Sequence, residues 1–401
     1  MAAPAPAVRP GTVVRPWHVP MTGRDPAEAH RSATPLELLF DLCFVVAVAR
    51  VASALHHDLV DGQVTHGVLN YIVLFWAIWW PWLNFTWFAS AFDTDDVQYR
   101  LLTFVQIAGV LVVAAGVPSA FEEADYRIAV IGYVIMRVAL VAQWLRAARE
   151  DPVHRAVALR FAIAIALIQL GWVLRLALLG WSEIGYFAFI VLAGLELAVP
   201  VWAERAGPET PWHPGHMIER YGLFTIIVLG ECVLATTTAV QAAFEAGGLL
   251  APLLTVAVGG LLLVFALWWA YFKHEPDIGH HRSLTAMIGW GYGHYFVFAA
   301  VAALGAGLQV AADTTHEPVE LSPTEAAATV AVPVAIYLVA LAFFHARPWT
   351  ASVLAPILVA CALMLAATLA APVVGVPVVV LVIALVACGL VVEMVARARP
   401  A

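Results

Sequence analysis

The run His216-Met-Ile-Glu-Arg-Tyr-Gly-Leu-Phe-Thr-Ile-Ile-Val-Leu-Gly-Glu231 carries ionisable groups at both ends of a segment otherwise apolar enough to sit in a membrane. In a helix, Arg220 and Glu231 point nearly the same way but stand about 16 Å apart along the axis, so they cannot touch. An ionisable side chain some three turns inside an apolar segment is costly unless it faces protein or water, which makes Glu231 a candidate for a substrate or ion pathway. Glu37 and Asp41, spaced i,i+4 at the start of an earlier apolar run, share a helix face. Two acids there complement a helix dipole. Asp41, flanked by Phe40, Leu42 and Phe44, is the harder of the two to explain that way.

Further candidates carry weaker signals. Glu219 and Arg220 fall at the edge of their run, where capping or snorkelling accounts for them, although both belong to the same candidate pathway. Arg137 and Glu196 are intramembrane charges, and each needs a partner. His294, in Gly289-Trp-Gly-Tyr-Gly-His294, lies near mid-span, where a neutral imidazole can relay protons; close helix packing explains the glycines equally well. His274, Asp277, His280 and His281, with His213 and His216 nearby in sequence, could ligate a metal. Their spacing matches no zinc or HExxH pattern, so no metal is assigned and this set stands as an alternative. There is neither a phosphate-binding Gly-rich loop followed by Lys nor a nucleophile elbow, and no cofactor is called for.

Composition fixes the elements that must position these residues. Of 401 residues, 63% are hydrophobic and 12% charged, and mean hydropathy is +0.87. So little charge cannot clothe a soluble protein of this size; the pattern is that of an all-α, polytopic transmembrane bundle whose first partner is the lipid bilayer. A net charge of −8 argues against nucleic acid. Cys43, Cys232, Cys361 and Cys388 all lie in apolar runs and read as small buried hydrophobes.

Residues 1–34 are rich in Pro, Ala and Arg and read as a disordered cytoplasmic tail. Runs long enough to span follow at 35–57, 64–91, 98–120, 124–147, 153–180 and 182–203, then at 216–243, 248–273, 283–311, 324–346, 349–371 and 374–396. They divide the chain into six-helix halves at 35–203 and 204–401. With the N-terminus inside, Arg100, Arg146, Arg149, Arg205, Lys273 and Arg347 fall in cytoplasmic loops and Arg127 alone in an outer one, so both termini of a plasma-membrane protein are placed in the cytoplasm.

A shift of 182 residues lays Glu37 on Glu219, Trp87 on Trp269, Asp95 on Asp277, Arg100 on Arg282 and Thr103 on Thr285. Matched rare charges at one offset point to a duplication with parallel topology, six spans separating the copies. Asp95 with Arg100, and Asp277 with Arg282, are expected to shape the turn between the second and third spans of each half. The shift also puts Glu231 on Ala49, beside Arg50. Arg50 is therefore expected to meet Glu231 in the shared interior, with Arg137 as the alternative partner.

The segment Thr34-Pro-Leu-Glu-Leu-Leu-Phe-Asp-Leu-Cys-Phe-Val46 resembles the opening motif of the bacterial low temperature requirement A (LtrA) proteins, and Glu219 to Glu231 resembles their second motif. Trp268-Trp-Ala-Tyr-Phe272 followed by a His-rich loop is similar to that family as well, with a departure at Lys273, where the family usually has an acid. The resemblance runs from about Thr34 to the last span. It implies a polytopic membrane protein and supplies no substrate or reaction. Read together, these features favour a secondary transporter or permease of an unidentified small molecule or ion over an enzyme. The alternatives are a membrane-embedded enzyme acting on a lipid or lipid-linked substrate, with the His-rich loop as its active site, and a membrane sensor or assembly factor.

Overall fold

The computed structural model describes residues 17–28, 31–179, 183–245, 247, 250–273, 284–316, 318–345 and 351–397. Among them there is no strand, and twelve helices are long and apolar enough to cross a membrane. These are α1 (Pro35–Val60), α2 (Val64–Phe92), α3 (Val97–Ala115), α4 (Arg127–Glu150), α5 (Arg155–Leu178), α6 (Glu183–Ala203), α7 (Pro214–Glu245), α8 (Leu250–Phe272), α9 (Leu284–Asp313), α10 (Pro323–His345), α11 (Ala351–Ala367) and α12 (Val376–Arg397). The chain is a multi-pass membrane protein. Large apolar side chains such as Leu167, Ile190, Phe265 and Val392 point outward, as lipid-facing residues must, and the helices pair their own backbone groups, as hydrocarbon requires.

The third apolar run is broken. Its helix ends at Ala115, and Gly116 leads into a short helix, Val117–Glu122, with Pro118 in its first turn. At the last junction a 3-10 turn (Thr368–Ala370) and a short helix (Ala371–Val374) end at Gly375, whose φ of 87° is readily adopted only by glycine.

α2 is the post around which the first half packs. Every residue from Ile78 to Asp93 is buried, including Trp79, Trp80, Trp82, Trp87 and three phenylalanines, and a helix apolar all round belongs in the interior. α3 and α4 approach closely through Gly109 and Gly132: a Cβ on Gly132 would stand 2.6 Å from the carbonyl oxygen of Gly109. α9 and α10 do the same at Gly307, where a Cβ would meet the Thr329 carbonyl oxygen at 2.2 Å.

α1 begins at what we term the proximal end of the bundle and finishes at the distal end. At the proximal end, residues expected to be disordered are folded down as a strap. The N–H of Val19 donates to Asp96 (2.8 Å), that of Met21 to Glu150 (2.6 Å), that of Gly23 to Asp151 (2.7 Å) and that of Ala33 to Glu219 (3.2 Å). Arg31 is buried and caps the end of α2, donating to the Ser90 and Ala89 carbonyls. Acidic loop ends supply acceptors that composition alone does not reveal. Residues 1–16 lie outside the described residues.

Candidate functional site

Thr34 opens α1 with a capping box: its Oγ accepts from the Glu37 N–H, and Glu37 Oε2 accepts from the Thr34 N–H at 2.8 Å. The free side of Glu37 and the carboxylate of Asp41, one turn deeper, then face α7. Arg220 fills the space between them. Its Nη2 donates to Asp41 Oδ1 (2.6 Å) and its Nε to Oδ2 (3.2 Å), while Nη1 makes a charge contact of 2.9 Å with Glu37 Oε1. From α2, Trp82 Nε1 donates to Asp41 Oδ1 (2.7 Å), and His216 Nε2 lies 3.0 Å from Glu37 Oε1. The side chains of Glu37, Asp41, His216 and Arg220 are all 0% exposed. Capping or snorkelling therefore fails as an account of Arg220, which is the buried countercharge of two acids on another helix. Glu219 is partly exposed and serves the strap.

A second buried network lies within the first six helices. Glu196 of α6 accepts from Arg137 Nη2 (2.7 Å), Trp80 Nε1 (2.9 Å), Tyr133 Oη (3.0 Å) and Gln169 Nε2 (2.8 Å). The two intramembrane charges partner each other, so Arg137 is not a partner of Glu231. Four donors satisfy the Glu196 carboxylate and make this a structural node, although Arg137 Nε and Nη1 and Gln169 Oε1 find no hydrogen-bond partner among the described residues.

The expected Arg50–Glu231 contact is not made. Arg50 is exposed and lines a vestibule of about 640 Å³ at the distal end, with His57, Asp58, Asp61, His66 and Glu122. The reason is angular: Arg50 follows Asp41 by nine residues, half a turn out of phase in a helix, so the face that gives Asp41 to α7 turns Arg50 away. Glu231 keeps the Arg220 face and looks toward α1. It is half-buried in a cavity of about 190 Å³ between α1, α7 and α9, beside Val48, Ala52, Ser53, Thr238 and Gln309. Its carboxylate makes no hydrogen bond or ion pair with any described residue. Ser53 lines both this cavity and the vestibule.

His294 is fully buried, with Nδ1 2.8 Å from the Trp290 carbonyl and Nε2 3.1 Å from Tyr271 Oη. The carbonyl can only accept, so Nδ1 carries a proton, while the tyrosine hydroxyl is able to donate to Nε2 or to accept from it.

At the proximal turn Arg100 grips Asp95 with two bonds, Nε to Oδ1 at 2.7 Å and Nη2 to Oδ2 at 3.1 Å, and Asp95 holds φ 48°. Asp277 and Arg282 lie outside the described residues, as do His274, His280 and His281; among the described residues no three His, Cys, Asp or Glu side chains converge as metal ligands would. Sequence reasoning missed Asp96, which caps α3 through the Tyr99 N–H (2.8 Å) and pairs with Arg146 (2.9 Å). Burial raises its pKa, but Arg146 and the N–H groups of Tyr99 and Val19 outweigh that and hold it at about 2. Its neighbour Asp93 goes the other way: burial and the nearby Glu37 charge push it up to about 7 against the pull of Arg31. An Asp opening the third span is a cap signal legible in the sequence; its distant Arg partner is not.

Comparison with known proteins agrees with the motifs. A Rhizobium meliloti (strain 1021) protein described as uncharacterized protein RA0937 is 30% identical over 275 residues, a stretch covering 64% of each chain. The model of the family described as bacterial low temperature requirement A protein (LtrA) matches residues 32–392, from the strap through Asp41, Arg220 and Glu231 to the last helix. By that match over most of its length, the chain belongs to the LtrA family.

Proposed function

We propose that this protein is a secondary transporter of the bacterial plasma membrane, with both termini cytoplasmic and two parallel six-helix halves, 35–203 and 204–401, that move against each other. One observation carries the reading. The seam between the halves is locked by charge at its proximal end, where Glu37 and Asp41 of α1 bind Arg220 of α7, and is hollow further along, where the Glu231 cavity adjoins the open distal vestibule. A bundle that opens one end of such a seam while the other is closed can pass a solute by rocking.

The helix neighbours support the repeat. α1 packs on α2 and α3, α3 on α4, α4 on α5 and α5 on α6; α7 packs on α8 and α9, α9 on α10, α10 on α11 and α11 on α12 in the same way. The contact of α8 with α12 has no equally extensive counterpart in the first half. The Lys and Arg bias of the loops supports a cytoplasmic proximal end.

The test is a flux assay in proteoliposomes containing the purified full chain, with amino acids, inorganic ions, sugars and lipophilic cations offered in turn and internal pH recorded. Protein-dependent accumulation of one class, driven by an ion gradient, is the expected result. Folded, correctly inserted protein that moves none of them would overturn the reading.

A further inference from the structure

Among the charged groups within the described helices, Glu196, Glu37 and Asp41 have committed cationic partners, whereas Glu231 has none. It sits where no structural task is evident, near the middle of α7, in a cavity large enough for several waters. A carboxylate left ionised at this depth without a countercharge is held at a cost that binding a cation removes.

We propose that Glu231 is a proton-binding site, loaded and emptied through the distal vestibule. The lining makes a larger cation a poorer fit. Gln309 spends its amide on the Gly305 carbonyl (3.3 Å), and the Cys232 thiol donates to the Val301 carbonyl (2.9 Å). That leaves Ser53, Thr238 and the side-chain oxygen of Gln309 as polar company, short of the six or more oxygens that hard metal ions gather. Thr238 also sits on the helix of Glu231, and α1 and α9 bring no charge into the cavity.

The titratable groups facing Glu231 are few. Cys232 shares its cavity, and the neighbouring vestibule contributes Arg50, His57, Asp58, Asp61, His66 and Glu122 across Ser53. Asp58 is bonded to His66 at 2.7 Å, and His66 in turn to Asn70 at 3.0 Å. These acids and imidazoles line the vestibule, and Ser53 stands at its junction with the cavity of Glu231. The purpose given to the site, coupling proton movement to transport, rests on the transporter reading; the site itself does not.

Dicyclohexylcarbodiimide, which adds to protonated carboxyl groups in apolar surroundings, supplies a test on the full chain in liposomes, with the modified residue mapped by mass spectrometry. Labelling of Glu231 at about pH 6 should exceed that at about pH 9 by roughly tenfold or more, as a single titrating carboxyl requires. The label should vanish in Glu231→Gln and return in Glu231→Asp. Absence of label at Glu231 at any pH, or label independent of pH, overturns the proposal. Protection by sodium or potassium at fixed pH also overturns it and assigns the site to an alkali cation. Labelling does not depend on turnover, so it stands even where the flux assay fails. Conversely, flux retained in Glu231→Gln with its proton coupling intact overturns the coupling role given to the site and leaves the transporter.

Discussion

Replacing Arg220 with Met nearly keeps the volume and removes the only cation among the described residues that contacts both Glu37 and Asp41. Two unit charges about 4 Å apart at an effective dielectric of about 20 attract by about 4 kcal/mol. Desolvation of all three groups offsets much of that in the intact network. Taking away one member leaves the desolvation in place without the attraction, at a typical loss of about 3–5 kcal/mol. Against the net stability of a typical domain, about 5–15 kcal/mol, this is a large fraction. Asp41→Asn should cost less than Arg220→Met, because Asn keeps an oxygen for Trp82 and Arg220 retains Glu37. Glu219→Gln, which touches one strap N–H at 3.2 Å, should stay within about 0.5 kcal/mol. The assay is reversible unfolding in mixed micelles with increasing dodecyl sulfate, following helical circular dichroism. In the double variant Arg220→Met with Asp41→Asn, the loss should fall short of the sum of the singles by about 1–3 kcal/mol. Additivity within about 0.5 kcal/mol, or an Arg220→Met loss below about 1 kcal/mol, would refute the idea that the pair holds the seam.

Glu196→Gln sets an amide among four donors, and the same unfolding assay should record a loss of about 2–4 kcal/mol. Asp93 is raised in the folded chain from an ordinary carboxylate value to about 7, so the folded state holds its proton more tightly than the unfolded one. Its contribution is complete below about pH 4 and is lost as pH rises through about 7; unfolding midpoints across that window should fall, and Asp93→Asn should flatten the slope. Gly307→Ala drives a methyl against the Thr329 carbonyl and should lower stability by about 1–3 kcal/mol, whereas Gly194→Ala, with nothing within 4 Å, should be tolerated.

The span pattern was legible because hydrocarbon imposes a length and an all-round apolarity that few soluble helices share. Glu37, Asp41, Arg137, Glu196 and Glu231 were legible for the converse reason: charge stands out in such runs. The pairings were harder. Arg220 lies 179 residues from Asp41, and the 182-residue shift sets it against Leu38, so the internal similarity conceals the contact. The Arg50–Glu231 expectation matched depth but neglected rotation, although the nine-residue step from Asp41 to Arg50 already turns them to opposite faces. The strap escaped notice because its own composition is that of a linker. What orders it are carboxylates at the ends of α4 and in the turn before α3, together with Glu219 of α7.

That strap bears on the order in which the protein is assembled. Residues 17–34 leave the ribosome before the twelve described spans, yet their acceptors emerge much later: Asp96 after two helices, Glu150 and Asp151 after four, Glu219 only as the seventh begins. The segment must wait, solvated, while six of the twelve helices are threaded into the bilayer. Its final bond, from Ala33 to Glu219, forms beside the site where Arg220 meets Glu37 and Asp41. Closure of the strap and neutralisation of the two α1 acids thus become one late event, and a chain stalled before α7 carries both acids into the membrane without Arg220.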